Sequence, residues 1–359
     1  MKRKLMIPEG TRDYLQEDTY IQRQIITELL DEFLQWGYHE IKTPMIEKWD
    51  IVRKKHKDET NFFTLVDKTG DLLVLRPEIT APMARVVATH FRELDNYPLR
   101  LAYAGEIFSQ GSLKSGERRQ QAQVGIELIG SDSIISDCEV LIMALDSMKK
   151  RGVKDYSLGI SHMDITVGLL KELVEDEDLR EKIEELMINK DLVALDKILP
   201  DKAKEMLLTL VSINGSIEFL KKIKDFSSSL KYVEAIERLE TIYGILMELG
   251  YSQDIFFDFS ILGDFDYYTG LLFEGFGPGV GTPIISGGRY DNLIHEYHSG
   301  KPAVGFAINV DLYVKTMDRK ITLPDIAEEI VDADFVSRFK KAELSRAAGN
   351  IAVIDLEDK

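Results

Sequence analysis

From about Ile165 to Gly250 the chain reads as nearly continuous helical periodicity, rich in Glu, Lys and Leu, while the segments on either side read as short strands. Pro200 and the pair Asn214-Gly215 break this run into separate helices. A helical block set among hairpin-like strand pairs argues for an α+β fold with a mainly antiparallel sheet flanked by helices. Residues 1–160 and 251–315 are then two parts of one core, with residues 161–250 inserted between them. Residues 316–359 form a mixed-charge tail with two helical stretches at most.

The flanking segments carry their own punctuation. Apolar residues Ile21, Ile25, Ile26, Leu29, Leu30 and Phe33 put one stripe on a helix from about Glu17 to Trp36, with Gly37 placed to end it. His39 to Pro44 reads as a short strand halted by proline. Phe62–Val66 and Leu72–Leu75 flank Asp67-Lys68-Thr69-Gly70, a hairpin signal. Thr80 is placed to cap a helix running to about Phe91, with Pro82 in its first turn. Leu99–Ile107 and Gln121–Ile129 read as paired strands around a polar loop, Ser109 to Arg119. A helix from about Ile135 to Arg151 and a strand from Tyr156 to Ser161 follow. Beyond the insert, strand character returns over Phe256–Phe276, Ile284–Leu293 and Pro302–Val310, the last expected strand. The glycines from Gly275 to Gly281 lack a following Gly-Lys-Ser/Thr and read as a hairpin tip, not a phosphate loop.

Composition narrows the function classes. A hydrophobic content of 44% and a charged content of 30% over 359 residues fit a globular protein with a sizeable core. No eighteen-residue apolar run is present, so no membrane span is expected, and the start MKRKLMIPEG lacks the apolar core of a secretory signal. The lone Cys138 sits in an apolar helical run and fits a reducing cytoplasm. A net charge of −17 weighs against a general nucleic-acid binder, which needs positive surface against phosphate.

Four stretches carry the chemistry: Leu75-Arg76-Pro77-Glu78-Ile79-Thr80; Phe108 to Glu127; Ile261 to Phe276, which contains Tyr267-Tyr268-Thr269-Gly270; and Ser286-Gly287-Gly288-Arg289-Tyr290-Asp291 followed by Pro302 to Ala307. If Tyr267 and Tyr268 lie on a strand they face opposite sides, one lining a pocket and one packing. Taken singly, Glu78 reads as an ion-pair partner of Arg76 or Arg85, Gln123 and Glu127 as a solvated strand face, and the tyrosines as core.

In this order and spacing, the four stretches resemble the signatures of histidyl-tRNA synthetases, over roughly residues 8 to 313. The helix, strand and proline near the N-terminus are similar to the motif 1 dimer interface of class II aminoacyl-tRNA synthetases. The resemblance implies a class II synthetase-like fold and an amino-acid pocket. Glu78 and Thr80 match positions at the ligand ammonium, Gln123 and Glu127 positions that hold the bound amino acid, and Tyr267 and Tyr268 the aromatic pair near the imidazole. It also exposes three departures. The family's three catalytic arginines fall here at Ser109, Gly263 and Leu312. Adenylation develops charge on phosphates, and losing a charge-assisted contact to it costs on the order of several kcal/mol. Arg118 and Arg119 are candidates for partial compensation, or solvated charges. Arg289 reads as structural beside Gly287 and Gly288. Only about forty-five residues follow the motif 3 region, against roughly a hundred for the family's anticodon-binding domain.

A synthetase-like core with these departures resembles the family of ATP phosphoribosyltransferase regulatory subunits. That resemblance implies a non-catalytic protein of histidine biosynthesis. Its implied partners are a short-form ATP phosphoribosyltransferase catalytic subunit and a second copy of itself, within a hetero-octamer. Histidine is the implied effector, and no tRNA, cofactor or metal is implied. Three alternatives stay open on the residues alone: a divergent histidyl-tRNA synthetase, a synthetase-like RNA or stress-sensing module, and a fragment of a longer chain. Asn350 to Asp355 reads as a strand that could begin an α/β domain.

Overall fold

The computed structural model describes residues 6–53, 61–91, 98–111, 118–212, 214–263, 267–296, 300–331 and 334–356. The chain divides into two compact units. One comprises Ile25–Arg319 with the stretch up to Arg12, the other Asp13–Gln24 with Lys320–Lys359. Helix α1 (Gln16–Gln35) contributes to both, and its second half buries Ile25, Leu29 and Phe33 in the larger unit.

In the larger unit the order begins β1 (His39–Glu40), β2 (Ile46–Lys48), α2 (Trp49–Val52), β3 (Thr64–Val66), β4 (Leu72–Leu75) and α3 (Thr80–His90). The long antiparallel pair β5 (Leu99–Phe108) and β6 (Gln120–Ile129) follows, then α4 (Ile134–Lys150) and β7 (Ser157–His162). Six helices come next: α5 (Met163–Leu173), α6 (Glu177–Ile188), α7 (Leu192–Ile198), α8 (Asp201–Ser212), α9 (Ile217–Ile223) and α10 (Leu230–Glu248). The chain then returns through β8 (Ile255–Phe257), β9 (Leu271–Phe276), β10 (Ile285–Arg289), α11 (Asp291–Glu296), β11 (Ala303–Asn309) and α12 (Val310–Thr316).

The principal sheet has eight strands in the order β1-β5-β6-β11-β10-β9-β7-β8. It is antiparallel through its middle and parallel only at β1–β5 and β7–β8. The antiparallel α+β architecture thus matches the sequence pattern, with the parallel edges as an addition. Strands of two or three residues carry no periodicity to read. A separate three-stranded sheet, β2-β4-β3, contains the hairpin around Asp67. The Asp67 carboxylate accepts from the Thr69 and Asp71 amides, closing the turn.

Side-chain alternation on β6 sets the two faces of the sheet. Ala122, Val124, Ile126 and Leu128 are buried on one face. On the same side as Glu127 lie its register partners Leu101 and Gly305. Helix α4 buries Val140, Leu141, Ala144, Leu145 and Met148 completely, so it is apolar where it meets the sheet. Among the described residues no helix is long and apolar enough to cross a membrane.

The smaller unit fits the expectation of at most two helical stretches in the tail, with one helix and a strand pair: β12 (Glu328–Ile330), α13 (Phe335–Ala347) and β13 (Ala352–Ile354). The strands pair in parallel, Glu328 with Ala352 and Ile330 with Ile354. Ile330, Ala342 and Ala352 form its buried core, with Ile354 packed against them. The run Asn350–Asp355, read as a strand, contains β13, whereas the charges around β12 leave it no readable signal.

Candidate ligand-binding site

Four stretches separated in sequence converge on one cavity of about 100 Å³. Its wall includes Glu78, Thr80, Gln123, Glu127, Tyr267 and Tyr268, together with Tyr290, Ser286, Gly288, Gly305 and Ala307. Drug-sized sites run to about 300–1,000 Å³, so this cavity is on the scale of a small metabolite. The hollow has a simple origin. Ser286, Gly288, Gly305 and Ala307 are small residues on one face of β10 and β11, cross-strand from one another. A Cβ at Gly305 would lie 1.9 Å from Glu127 Oε2 and 2.3 Å from the Ile126 carbonyl oxygen. The strand approaches Glu127 more closely than any other residue allows.

Two carboxylates define the electrostatics. Glu127 is buried on β6, accepts from Thr80 Oγ1 at 2.9 Å and from the Tyr290 hydroxyl. Burial pushes its carboxyl up to about 8, against the opposing pull of those two hydrogen bonds, and the charge of Glu78 adds to the rise. Glu78 precedes α3 and accepts from the Ala81 amide at 2.9 and 3.1 Å. Burial pushes Glu78 up to about 7 despite its bonds to Ala81 and Thr80. Glu78 therefore caps α3, and Thr80, expected at the cap, sits inside the helix and turns its hydroxyl to Glu127.

Arg76 and Arg85, the expected partners of Glu78, and Arg118 and Arg119, the candidates for compensation, have other partners. Arg76 donates to the Glu106 carbonyl at 2.8 Å and to Thr43 at 3.0 and 2.9 Å, and it acts on Glu78 only through its charge. Arg85 pairs with Glu47 at 2.6 Å. Arg118 bonds Asp311 at 2.8 Å, and Arg119 donates to the Gln110 carbonyl at 3.1 Å. Among the described residues no cation bonds either buried carboxyl, which favours a ligand that brings positive charge. The Gln123 Oε1 is buried with no hydrogen-bond partner and supplies a further acceptor.

The aromatic wall differs from the strand alternation expected of Tyr267 and Tyr268. Strand β9 begins only at Leu271, so both tyrosines lie before it and both line the cavity. Their rings are 4.9 Å apart, and the Tyr290 ring stands 5.8 Å from Tyr267 at 71°. Tyr290 carries no role in the sequence reading, although it lies in the Gly-Gly-Arg-Tyr-Asp run.

The three positions without arginine lie outside this inner wall. Ser109 bonds the Arg119 carbonyl through its amide. Leu312 is in the first turn of α12, its amide capped by Asn309. Gly263 has φ +72, and a Cβ there would lie 2.8 Å from the Tyr268 ring. The residues between Gly263 and Tyr267, part of the same signature, lie outside the described residues. Among the described residues no group of three or more His, Cys, Asp or Glu is placed to hold a metal.

The histidyl-tRNA synthetase family profile matches residues 10–312. An ATP phosphoribosyltransferase regulatory subunit from Desulfitobacterium hafniense is 36% identical over 318 residues, covering 87% of this chain and 82% of that protein. The chain belongs to the ATP phosphoribosyltransferase regulatory subunit family. The family member from Moorella thermoacetica is 33% identical, covering 99% of this chain and 93% of its own length. A solved structure from Bacillus halodurans C, described as an ATP phosphoribosyltransferase regulatory subunit/histidyl-tRNA synthetase, is 28% identical. It has a TM-score of 0.89 and covers 98% of this chain and 93% of that one. Histidyl-tRNA synthetase from Nostoc sp. PCC 7120, at 20% identity and a TM-score of 0.80, shares the fold. The family's regulatory subunits are thus built on the synthetase architecture described above.

Proposed function

We propose that this chain is the non-catalytic regulatory subunit of an ATP phosphoribosyltransferase, and that it senses histidine through the cavity at Glu78 and Glu127. The observation that carries the reading is a retained amino-acid-sized cavity beside a rebuilt catalytic position. Two buried carboxyls and an unpartnered Gln123 acceptor suit an ammonium and an imidazole N–H. The left-handed backbone at Gly263, with the Tyr268 ring 2.8 Å from where a Cβ would sit, supports a position that no longer holds a catalytic cation. Ligand recognition without phosphate stabilisation makes histidine an effector and not a substrate.

In this reading the chain activates a short-form catalytic subunit, works as a dimer within a hetero-octamer in the cytoplasm, and takes no part in tRNA charging. Feedback requires that histidine bind the inhibited assembly more tightly than the active one. The test is phosphoribosyl transfer by the catalytic subunit of the same organism, with and without this chain, across a histidine titration. Activation that histidine reverses is the expected result. Activation untouched by histidine would move the sensor elsewhere, and failure of the two proteins to associate would overturn the reading.

A further inference from the structure

The helical insert sends no side chain into the cavity, yet one of its arginines is tied to the cavity wall through a buried ion triad. Asp137 of α4 is fully buried and takes two guanidinium groups. Arg289, at the end of β10, reaches it with Nε at 3.1 Å and a terminal nitrogen at 2.6 Å. Arg238, on α10 of the insert, reaches its other oxygen with Nε at 2.7 Å and a terminal nitrogen at 2.6 Å. Both arginines also grip the turn that leaves β6: Arg289 donates to the Ser131 carbonyl at 3.1 Å and Arg238 to the Asp132 carbonyl at 2.8 Å.

Arg289 is where this triad meets the cavity. Its carbonyl accepts from the Thr269 amide at 2.8 Å, one residue beyond Tyr268. The residue after it is Tyr290, whose hydroxyl bonds Glu127. Asp291 accepts from Arg289 at 3.0 Å, and its amide donates to Thr269 Oγ1 at 3.0 Å. The three tyrosines of the wall therefore hang on the backbone around Arg289, and Glu127 sits on the strand whose exit turn both arginines hold. Buried charge-assisted contacts of this kind fix geometry sharply, because each member is satisfied only in one arrangement.

We propose that Arg238 is a positioning residue for the ligand cavity: through Asp137 and Arg289 it sets the aromatic wall and Tyr290 against Glu127, and so the insert contributes to effector affinity without touching the effector. The inference rests on histidine being the ligand of that cavity. It gives the insert a role in sensing, since a shift of α10 relative to α4 would be felt at Tyr290.

The test is a double-mutant cycle on the intact chain, with histidine binding measured by calorimetry and melting measured without histidine. R238M is expected to weaken histidine binding roughly tenfold, the scale of support-residue effects, with R238K recovering part of the loss. In a Y290F background the further effect of R238M is expected to shrink, because both act on the same contact. The control K224M removes an exposed ion pair on the same insert, Lys224 with Glu240 at 3.0 Å, and is expected to leave affinity unchanged. Wild-type affinity in R238M, an additive cycle, or an equal loss in K224M would each overturn the inference. No histidine binding by the wild-type chain would overturn the functional reading and this inference with it, whereas binding by wild type and R238M alike would sink this inference alone.

Discussion

The ring of Tyr268 lies 2.8 Å from the point that a Cβ on Gly263 would occupy. With φ +72 at Gly263, the backbone itself is in the region that side chains avoid. A side chain at position 263 would meet both a strained backbone and the Tyr268 ring. Gly263→Arg is therefore expected not to restore histidine-dependent ATP–pyrophosphate exchange. It is expected to lower stability by about 1–2 kcal/mol from backbone strain alone, with displacement of Tyr268 added. Thermal melting and the exchange assay together check this, and recovered exchange would contradict it.

Histidine binding is expected to tighten as pH rises through the neutral range. In the free protein burial holds the carboxyls of Glu78 and Glu127 up near 7 and 8. A cationic ligand needs them ionised, so binding below those values must expel protons. The affinity is expected to rise roughly tenfold or more between about pH 6 and pH 8. Calorimetry in buffers of different ionisation heat reads the proton release directly. A flat profile would contradict the arrangement.

The same burial has a consequence for the unliganded chain. A Glu127 pKa raised from 4.5 to about 8 means that the folded state holds a proton that the unfolded state has lost. The stability this group contributes is full below about pH 4.5 and declines as pH rises through about 8. Glu127→Gln is expected to remove that decline, a gain on the order of a few kcal/mol near pH 9, while losing histidine binding. Urea denaturation at several pH values tests the first part and calorimetry the second.

Gly305→Ala asks whether the hollow matters. The added methyl would meet Glu127 Oε2 and the Ile126 backbone, and the backbone partner cannot swing aside. A cost of about 1–3 kcal/mol is expected, together with loss of histidine binding. An alanine variant that binds histidine normally would show that β11 can yield.

The middle of the sheet was legible because β5 and β6 are long enough for alternation to speak. Ala122, Val124, Ile126 and Leu128 mark one face, and the observed strand ends lie within a residue of those expected. Short runs at His39, Phe256 and Asn350 also marked β1, β8 and β13, although not their ends or their parallel pairing, and β12 was not legible, since three residues cannot display a period. Within the cavity, residue types in matched motifs pointed to Glu78, Thr80, Gln123, Glu127, Tyr267 and Tyr268. Their local geometry was hidden. Tyr267 and Tyr268 precede the strand instead of alternating along it, and Glu78 took the capping role assigned to Thr80. The partnership of Arg289 with Asp137 spans 152 residues and no local pattern announces it. The small residues at Ser286, Gly288, Gly305 and Ala307 had a readable period of two, but space is visible only when strands are laid side by side.

The unit formed by β12, α13 and β13 has a different physical character from the sheet. Among the described residues its buried apolar side chains are Ile330, Ala342 and Ala352, and two of the three are alanines. So little apolar surface leaves its own hydrogen bonds weakly protected. Its amides are expected to trade hydrogen for deuterium well before those of β5 and β6, and a protease given time would nick here first. The chain thus carries a well-packed sheet core and a segment whose structure is most readily reset by whatever it touches.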